Sequence, residues 1–258
     1  MFDICIIGDW SEGDIRCRWV PSTRRIVAEV ETAIERAWQE AQRRRDVQLF
    51  DGPMCRLEAW RTRHRALELD ISQTSYRVFL GTGMLGAALI DLHGREIAAN
   101  PVGVSSILQT RDGMLMMGRR NARVAYYPDR VHPFAGSLEP GENVDVFHEV
   151  RRELAEELHI TADDIEQITC DALVEDRALR QPELIFRVKC NLTRAQLEAQ
   201  LDPKEHAAAW SAPATRDAVE RALTDVRQFT PVAVAAMMIW GRSALGADWY
   251  ERRRTDDG

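Results

Sequence analysis

Apolar positions along the chain recur with two different periods. Phe2 to Ile7 and Ile15 to Val20 have strand composition and are joined by the turn-like Ser11-Glu12-Gly13-Asp14. Pro21-Ser22-Thr23 then opens a helix predicted to run to about Arg45, with Ile26, Val27, Val30, Ile34 and Trp38 at helical spacing. After the Asp51-Gly52-Pro53 turn, Met54 to Trp60 and Ala66 to Ile71 read as paired strands, and Gly81 to Gly86 is expected to break the chain. From Asn100 the pattern changes. Val102 to Gln109 and Met114 to Gly118 predict a hairpin around Thr110-Arg111-Asp112-Gly113. A loop rich in Arg, Tyr and Pro follows, then a short strand near Val131 to Ala135 and an acidic segment. Strands Ile165 to Val174 and Glu183 to Cys190 come next, then helices Arg194 to Leu201, Arg216 to Leu223 and Pro231 to about Ala244. The polar tail, Asp248 to Gly258, is expected to fray. Strands mixed with helices predict α/β or α+β, not a bundle. The change near Asn100 divides the chain into a small α/β region, 1–99, and a second region, 100–258.

Composition narrows function more than fold. The 258 residues, 45% hydrophobic and 29% charged, suffice for a sizeable core. Apolar stretches such as Val232 to Trp240 are too short to cross a bilayer. The acidic start MFDICIIGDW lacks the basic flank of an export signal. A net charge of −7 argues against nucleic acid as a partner. Five cysteines without a CxxC pair argue against a disulfide framework and against zinc, so a reducing cytoplasm is the expected location.

The informative stretch runs from Gly136 to Ile160. Read as a helix, its second half puts Glu153, Glu156 and Glu157 on one face at i, i+3, i+4, with Glu149 one turn earlier. Phe147, Val150, Leu154 and Leu158 form the face that packs. Crowded carboxylates repel unless a positive charge sits among them, and Mg²⁺ or Mn²⁺ is the natural answer because such ions prefer oxygen ligands. Gly136 and Gly141 are expected to let the backbone turn and approach a ligand. The bland alternative is a solvated helix with Arg–Glu surface pairs; the preceding strand, the Gly136 loop and Glu142 weigh against it. Arg119, Arg120 and Arg123 precede this loop and could hold phosphates bidentately. Tyr126, Tyr127 or His132 could stack on a base or touch a sugar, but taken singly these aromatics and arginines read better as ordinary loop and surface residues, with Arg120 the strongest of them. The Met116-Met117 and Met237-Met238 pairs read as core.

The segment resembles the Nudix box, G-x5-E-x7-R-E-U-x-E-E-x-G-U, with U a bulky aliphatic residue. Gly136 and Glu142 fit its opening, and Arg152-Glu153-Leu154, Glu156-Glu157 and Ile160 fit its end. Nine residues, not seven, separate Glu142 from Arg152, with Asn143 or Asp145 as the N-cap, and His159 stands where the box has Gly. The resemblance implies a Nudix-type α/β/α sandwich with a mixed sheet. The 1–99 region shows no independent chemistry in its sequence, and its bland reading is that it packs on this core and mediates homodimer formation or covers the active site. The resemblance also implies that Gly136, Glu153, Glu156 and Glu157 ligate Mg²⁺ or Mn²⁺, with Glu156 and Glu157 catalytic and Arg152 structural, paired with Glu142. Among Glu175, Asp176 and Glu183, the last is the favoured general base. Glu205-His206 with Trp210 resembles a segment after the box that supports packing.

Further segments are similar to the UDP-glucose pyrophosphatase-like branch of the family. They are Asp51 to Leu57, Tyr76 to Thr82, Asn100 to Val104 and Met117 to Arg120, although Phe134-Ala-Gly-Ser-Leu-Glu-Pro140 replaces the branch's PGGHPEP. The resemblance thus implies metal-dependent hydrolysis of a small-molecule nucleotide, a UDP-sugar, to UMP and a sugar 1-phosphate, with Arg119 and Arg120 binding substrate. The alternatives are another diphosphate, such as ADP-ribose or a nucleoside triphosphate, and a nucleotide-sugar sensor that does not cleave.

Overall fold

The computed structural model describes residues 1–43 and 49–256; the predicted helix end near Arg45 and the last two residues of the tail lie outside them. In chain order the elements are β1 (Phe2–Trp10), β2 (Ile15–Trp19), α1 (Ala28–Gln42), β3 (Pro53–Arg63), β4 (Ala66–Ser75) and α2 (Tyr76–His93). There follow β5 (Gly103–Gln109), β6 (Met114–Arg120), β7 (Val131–His132), β8 (Phe134–Ser137), α3 (Val146–Leu158), β9 (Ile165–Asp176) and β10 (Gln181–Cys190). The last elements are α4 (Arg194–Gln200), β11 (His206–Pro213), α5 (Arg216–Ala222), α6 (Pro231–Leu245) and α7 (Ala247–Asp256).

The larger sheet has the order β1-β9-β10-β5-β6-β11, with β7 on β6 and β8 on β5. It is mixed, because β10 pairs with β5 in parallel and with β9 antiparallel. Period-two burial gives the sheet two apolar faces, and each takes its own helix. Phe147, Val150, Leu154 and Leu158 of α3 pack with Val104, Leu108, Leu184 and Phe186. On the other face, Val232 to Trp240 of α6 pack with Ile107, Leu115, Met117, Ala172 and Ile185. This is the expected α/β/α sandwich, and both Met pairs are buried in it. No helix among the described residues is long and apolar enough to cross a membrane.

The first region departs from expectation in instructive ways. Although joined by a turn, β1 and β2 lie in different sheets, with β1 at the edge of the large one, antiparallel to β9. The Ser11–Asp14 turn therefore hands the chain to a second, three-stranded sheet, β2-β4-β3. The glycines at Gly81 to Gly86 do not break the chain, because α2 runs through them. Gly81 serves close helix packing: a Cβ there would lie 2.9 Å from the Ile34 Cα of α1. Nor does the tail fray up to Asp256. It forms α7, anchored by buried Trp249, whose indole donates to Glu220 Oε1 at 2.8 Å.

The division at residue 99 is crossed by shared structure. Cys55, Leu57, Leu67, Leu69 and Ile71 of the small sheet belong to the same apolar cluster as Phe147 and Leu154. Backbone hydrogen bonds run from the Cys55 amide to the Leu138 carbonyl and from the Val102 amide to the Cys55 carbonyl, both 2.8 Å.

Candidate active site

Helix α3 is fixed at both ends by its own residues. Asp145 is its N-cap, and its carboxylate accepts from the amides of Phe147 (2.8 Å) and His148 (3.3 Å). His159 ends the helix in the left-handed region, at φ 54° and ψ 28°. The Gly position of the box is thus filled by a residue that adopts the glycine conformation, at some conformational cost.

Between these ends Arg152 is the hub. Its guanidinium donates to Glu149, to Glu153 at 2.5 Å and to both oxygens of Glu156 at 2.8 Å. The expected Arg152–Glu142 pair is not made. Gly141, Glu142 and Asn143 are exposed in the lengthened loop, and Glu139, nearer β8, lies 3.8 Å from Arg152 instead.

Glu157 is buried and faces the sheet. Its Oε2 accepts from the Ala135 amide at 3.2 Å, and its Oε1 lies 3.3 Å from His206 Nε2. His206, at the start of β11, stands edge-on to Phe134 with ring centroids 5.3 Å apart. The packing expected of this His therefore extends to one of the box carboxylates. Gly136 is required by proximity, not by a turn: it lies within β8, and a Cβ on it would collide with the Glu153 carboxylate. Burial pushes Glu153 up to about 8, with Arg152 opposing and the carboxylates of Glu157, Glu149 and Glu156 adding to the rise. Burial also raises Glu157, against the pull of His206.

The chemistry of this donor set fits a hard divalent cation. It consists of carboxylate oxygens, with Glu153 and Glu157 raised by burial, beside a strand whose backbone approaches them. Glu153, Glu156, Glu157 and the Gly136 carbonyl are the groups that could hold it. Among the described residues, no three His, Cys, Asp or Glu side chains converge on one point. Arg152 occupies the space between Glu149, Glu153 and Glu156.

A cleft of about 1080 Å³ opens on the other side of Ala135 and Gly136, and Arg120 and Glu183 also line it. Glu183 is 4% exposed, and its Oε2 accepts from Ser105 Oγ at 2.7 Å. Burial raises it to about 7, opposed by the Ser105 hydrogen bond and Arg120 and reinforced by Asp176. Arg120 is drawn below the usual guanidinium value by burial, and its Nε has no hydrogen-bond partner among the described residues. Arg119 does not line the cleft, because adjacent residues of a strand point to opposite faces; its guanidinium donates to the Asp129 carbonyl at 2.7 Å. Arg119 and Arg120 are thus not a joint clamp.

The remaining candidates are largely engaged. Glu175 is paired with Arg95 and lies 3.7 Å from Arg180. Asp176 accepts from Tyr127 Oη at 2.8 Å and from the amides of Ala178 and Leu179. Tyr126 Oη donates to the carbonyls of Phe79 (3.3 Å) and Leu80 (3.1 Å) in α2. His132 is buried against Thr230 at 2.8 Å, and burial holds its imidazole well below the usual value. Arg123 is exposed on the cleft wall. Sequence reasoning missed Ser105, whose signal was a hydroxyl pair, Ser105-Ser106, inside an otherwise apolar strand. Which residues before 99 wall the cleft carries no local signal in the sequence.

A NUDIX domain match covers residues 99–231, just over half of the chain. The chain is 27% identical over 229 residues to the Bos taurus protein named uridine diphosphate glucose pyrophosphatase NUDT22, a match spanning 75% of this chain and 77% of that one. To the Mus musculus protein of the same name it is 26% identical over 231 residues, 76% of this chain and 73% of that one. Among solved structures, the MutT protein of Methanosarcina mazei Go1 is 16% identical with a TM-score of 0.39, covering 55% of this chain and 94% of that one. With the box loop, the acidic helix and its left-handed end in place, and the domain matched over these residues, the chain belongs to the Nudix family of hydrolases.

Proposed function

We propose that this protein is a Mg²⁺- or Mn²⁺-dependent pyrophosphatase that hydrolyses a nucleoside diphosphate linked to another moiety, with UDP-glucose, cleaved to UMP and glucose 1-phosphate, as the leading substrate. The observation that carries the reading is the pairing, in one cleft, of a guanidinium whose Nε has no hydrogen-bond partner among the described residues and a buried carboxyl raised to about 7. Arg120 holds a phosphate oxygen of the diphosphate. Glu183, fixed by Ser105, accepts the proton of the water whose oxygen bonds to phosphorus while the bridging P–O bond breaks and the second phosphate leaves. A metal held by Glu153, Glu156, Glu157 and the Gly136 carbonyl would polarise the phosphoryl oxygens and lower the pKa of water. The choice of a UDP-sugar is supported by the names of the two mammalian relatives and by the four short segments that resemble that branch.

Phosphate-product release from UDP-glucose, ADP-ribose, dinucleotides and nucleoside triphosphates, with and without Mg²⁺ or Mn²⁺, tests this. Metal-dependent UMP formation from UDP-glucose is the expected result, and preference for an adenine substrate discards the UDP-sugar. Arg152, seated among the carboxylates, favours a second reading, a sensor that binds nucleotide sugars without cleaving them. Tight binding with silence across the panel would select it. Glu157→Gln is expected to remove most turnover, on the order of a hundredfold, with an unchanged circular dichroism spectrum. A fully active variant overturns the metal assignment.

A further inference from the structure

The cleft does not end at the Nudix core. From Gly136, Arg120 and Glu183 it extends to Leu49, Phe50 and Tyr76, all from the region before residue 99. Phe50 is 78% exposed, and Trp38 and Phe79 pack against the Tyr76 ring edge-on, with centroids 6.3 and 6.4 Å away. An aromatic side chain left that open gains nothing for the fold, since most of its apolar surface stays in water. Tyr126 and Tyr127, in the loop between β6 and β7, use their hydroxyls to pin that loop onto α2 and Asp176. Gly83 makes room for this, because a Cβ there would lie 2.5 Å from Tyr126 Oη. The loop is thereby held so that Arg123 and Val124 also face the cleft.

We infer that Phe50 and Tyr76 form the nucleobase subsite, a planar apolar wall from the N-terminal region on which the base of the substrate stacks while its phosphates lie against Arg120. This deepens the proposed function and rests on it. A nucleoside phosphate is the occupant that fits both ends of one continuous cleft. Its base has a π-face for Phe50, and its phosphate can accept from Arg120 Nε, which has no hydrogen-bond partner among the described residues. Base choice would then be set outside the Nudix domain.

The test is equilibrium dialysis of the full chain with UMP, AMP and ribose 5-phosphate, for the wild type, Phe50→Ala and Tyr76→Phe. Leu92→Ala, which removes another exposed apolar side chain (70% exposed), serves as the comparator. UMP or AMP is expected to bind at least tenfold tighter than ribose 5-phosphate, and Phe50→Ala to remove about tenfold of that preference. In turnover, KM should rise in Phe50→Ala by more than kcat falls. Tyr76→Phe, which keeps the ring, should retain the preference. Equal binding of the three probes, or a Phe50→Ala protein indistinguishable from Leu92→Ala, overturns the subsite and leaves the hydrolase reading standing. Failure to bind any of the probes removes the nucleotide reading itself, and the subsite with it.

Discussion

Glu183 carries two opposed consequences of one environment. In an unfolded chain a Glu titrates near about 4.3, whereas here burial lifts it to about 7. A carboxyl whose folded value is raised is neutral in both states below the unfolded value. Its folded form then loses stability as pH rises from about 4.3 to about 7. The penalty above that window is on the order of 3 kcal/mol. Glu183→Gln should therefore be more stable than the wild type at pH 8 and equally stable at pH 4, as read by urea unfolding. As a general base, the same residue must be ionised to work. The wild-type kcat/KM should rise with pH through an apparent pKa near 7, and in the Gln variant that limb should disappear while kcat falls roughly a hundredfold. A variant that gains stability but keeps the limb would leave Glu183 structural and point to Asp176 or Glu205, the other acids on the cleft wall, as the base.

At the scale of elements, α3 was legible because its periodicity, its Asp145 cap and its apolar face are all local. The same holds for β9, β10 and α4 to α6, whose limits lie within two residues of the sequence reading. What local pattern does not encode is partnership. Phe2 to Ile7 looks like a strand whatever it pairs with, and its pairing with β9 is a contact across more than 160 residues. Gly81 to Gly86 carries a breaker's composition, yet the Gly81–Ile34 approach makes the small side chain a packing requirement. Glu142 was misread for a related reason, since a motif's spacing assumes a loop of fixed length. His159 offers a direct test at this scale. Its left-handed backbone costs a non-Gly residue roughly 1 kcal/mol, so His159→Gly should stabilise the protein by about that amount. The midpoint of thermal unfolding should rise by about 2–4 °C, with turnover unchanged because glycine keeps the left-handed helix end that His159 supplies. Loss of activity in that variant would mean that the imidazole, and not the helix end, was the reason for the departure from Gly.

Taken whole, the molecule makes the domain-matched stretch smaller than the folding unit. Residues 99–231 lack β1, which closes one edge of the large sheet, and almost all of α6, which covers one of its faces. They also lack Leu57, Leu67, Leu69 and Ile71, each at most 6% exposed and in one cluster with the packing face of α3. Full burial of four such side chains contributes on the order of 6–12 kcal/mol, comparable with the whole stability of an ordinary domain. The Cys55–Leu138 and Cys55–Val102 backbone bonds and the Trp19 indole donating to the Gly141 carbonyl at 3.3 Å tie the small sheet to the box loop itself. Residues 1–98 therefore flank the candidate active site on two sides, contacting the box loop from the small sheet and walling the cleft from α1 and α2. A chain beginning at Ala99 is expected to lack a cooperative urea transition and near-ultraviolet circular dichroism, while the full chain unfolds in a single step. A fragment 99–258 that unfolded cooperatively and hydrolysed nucleotide would show that the small sheet is an accessory, and the shared core would then have to be read as a docking surface between two independent units.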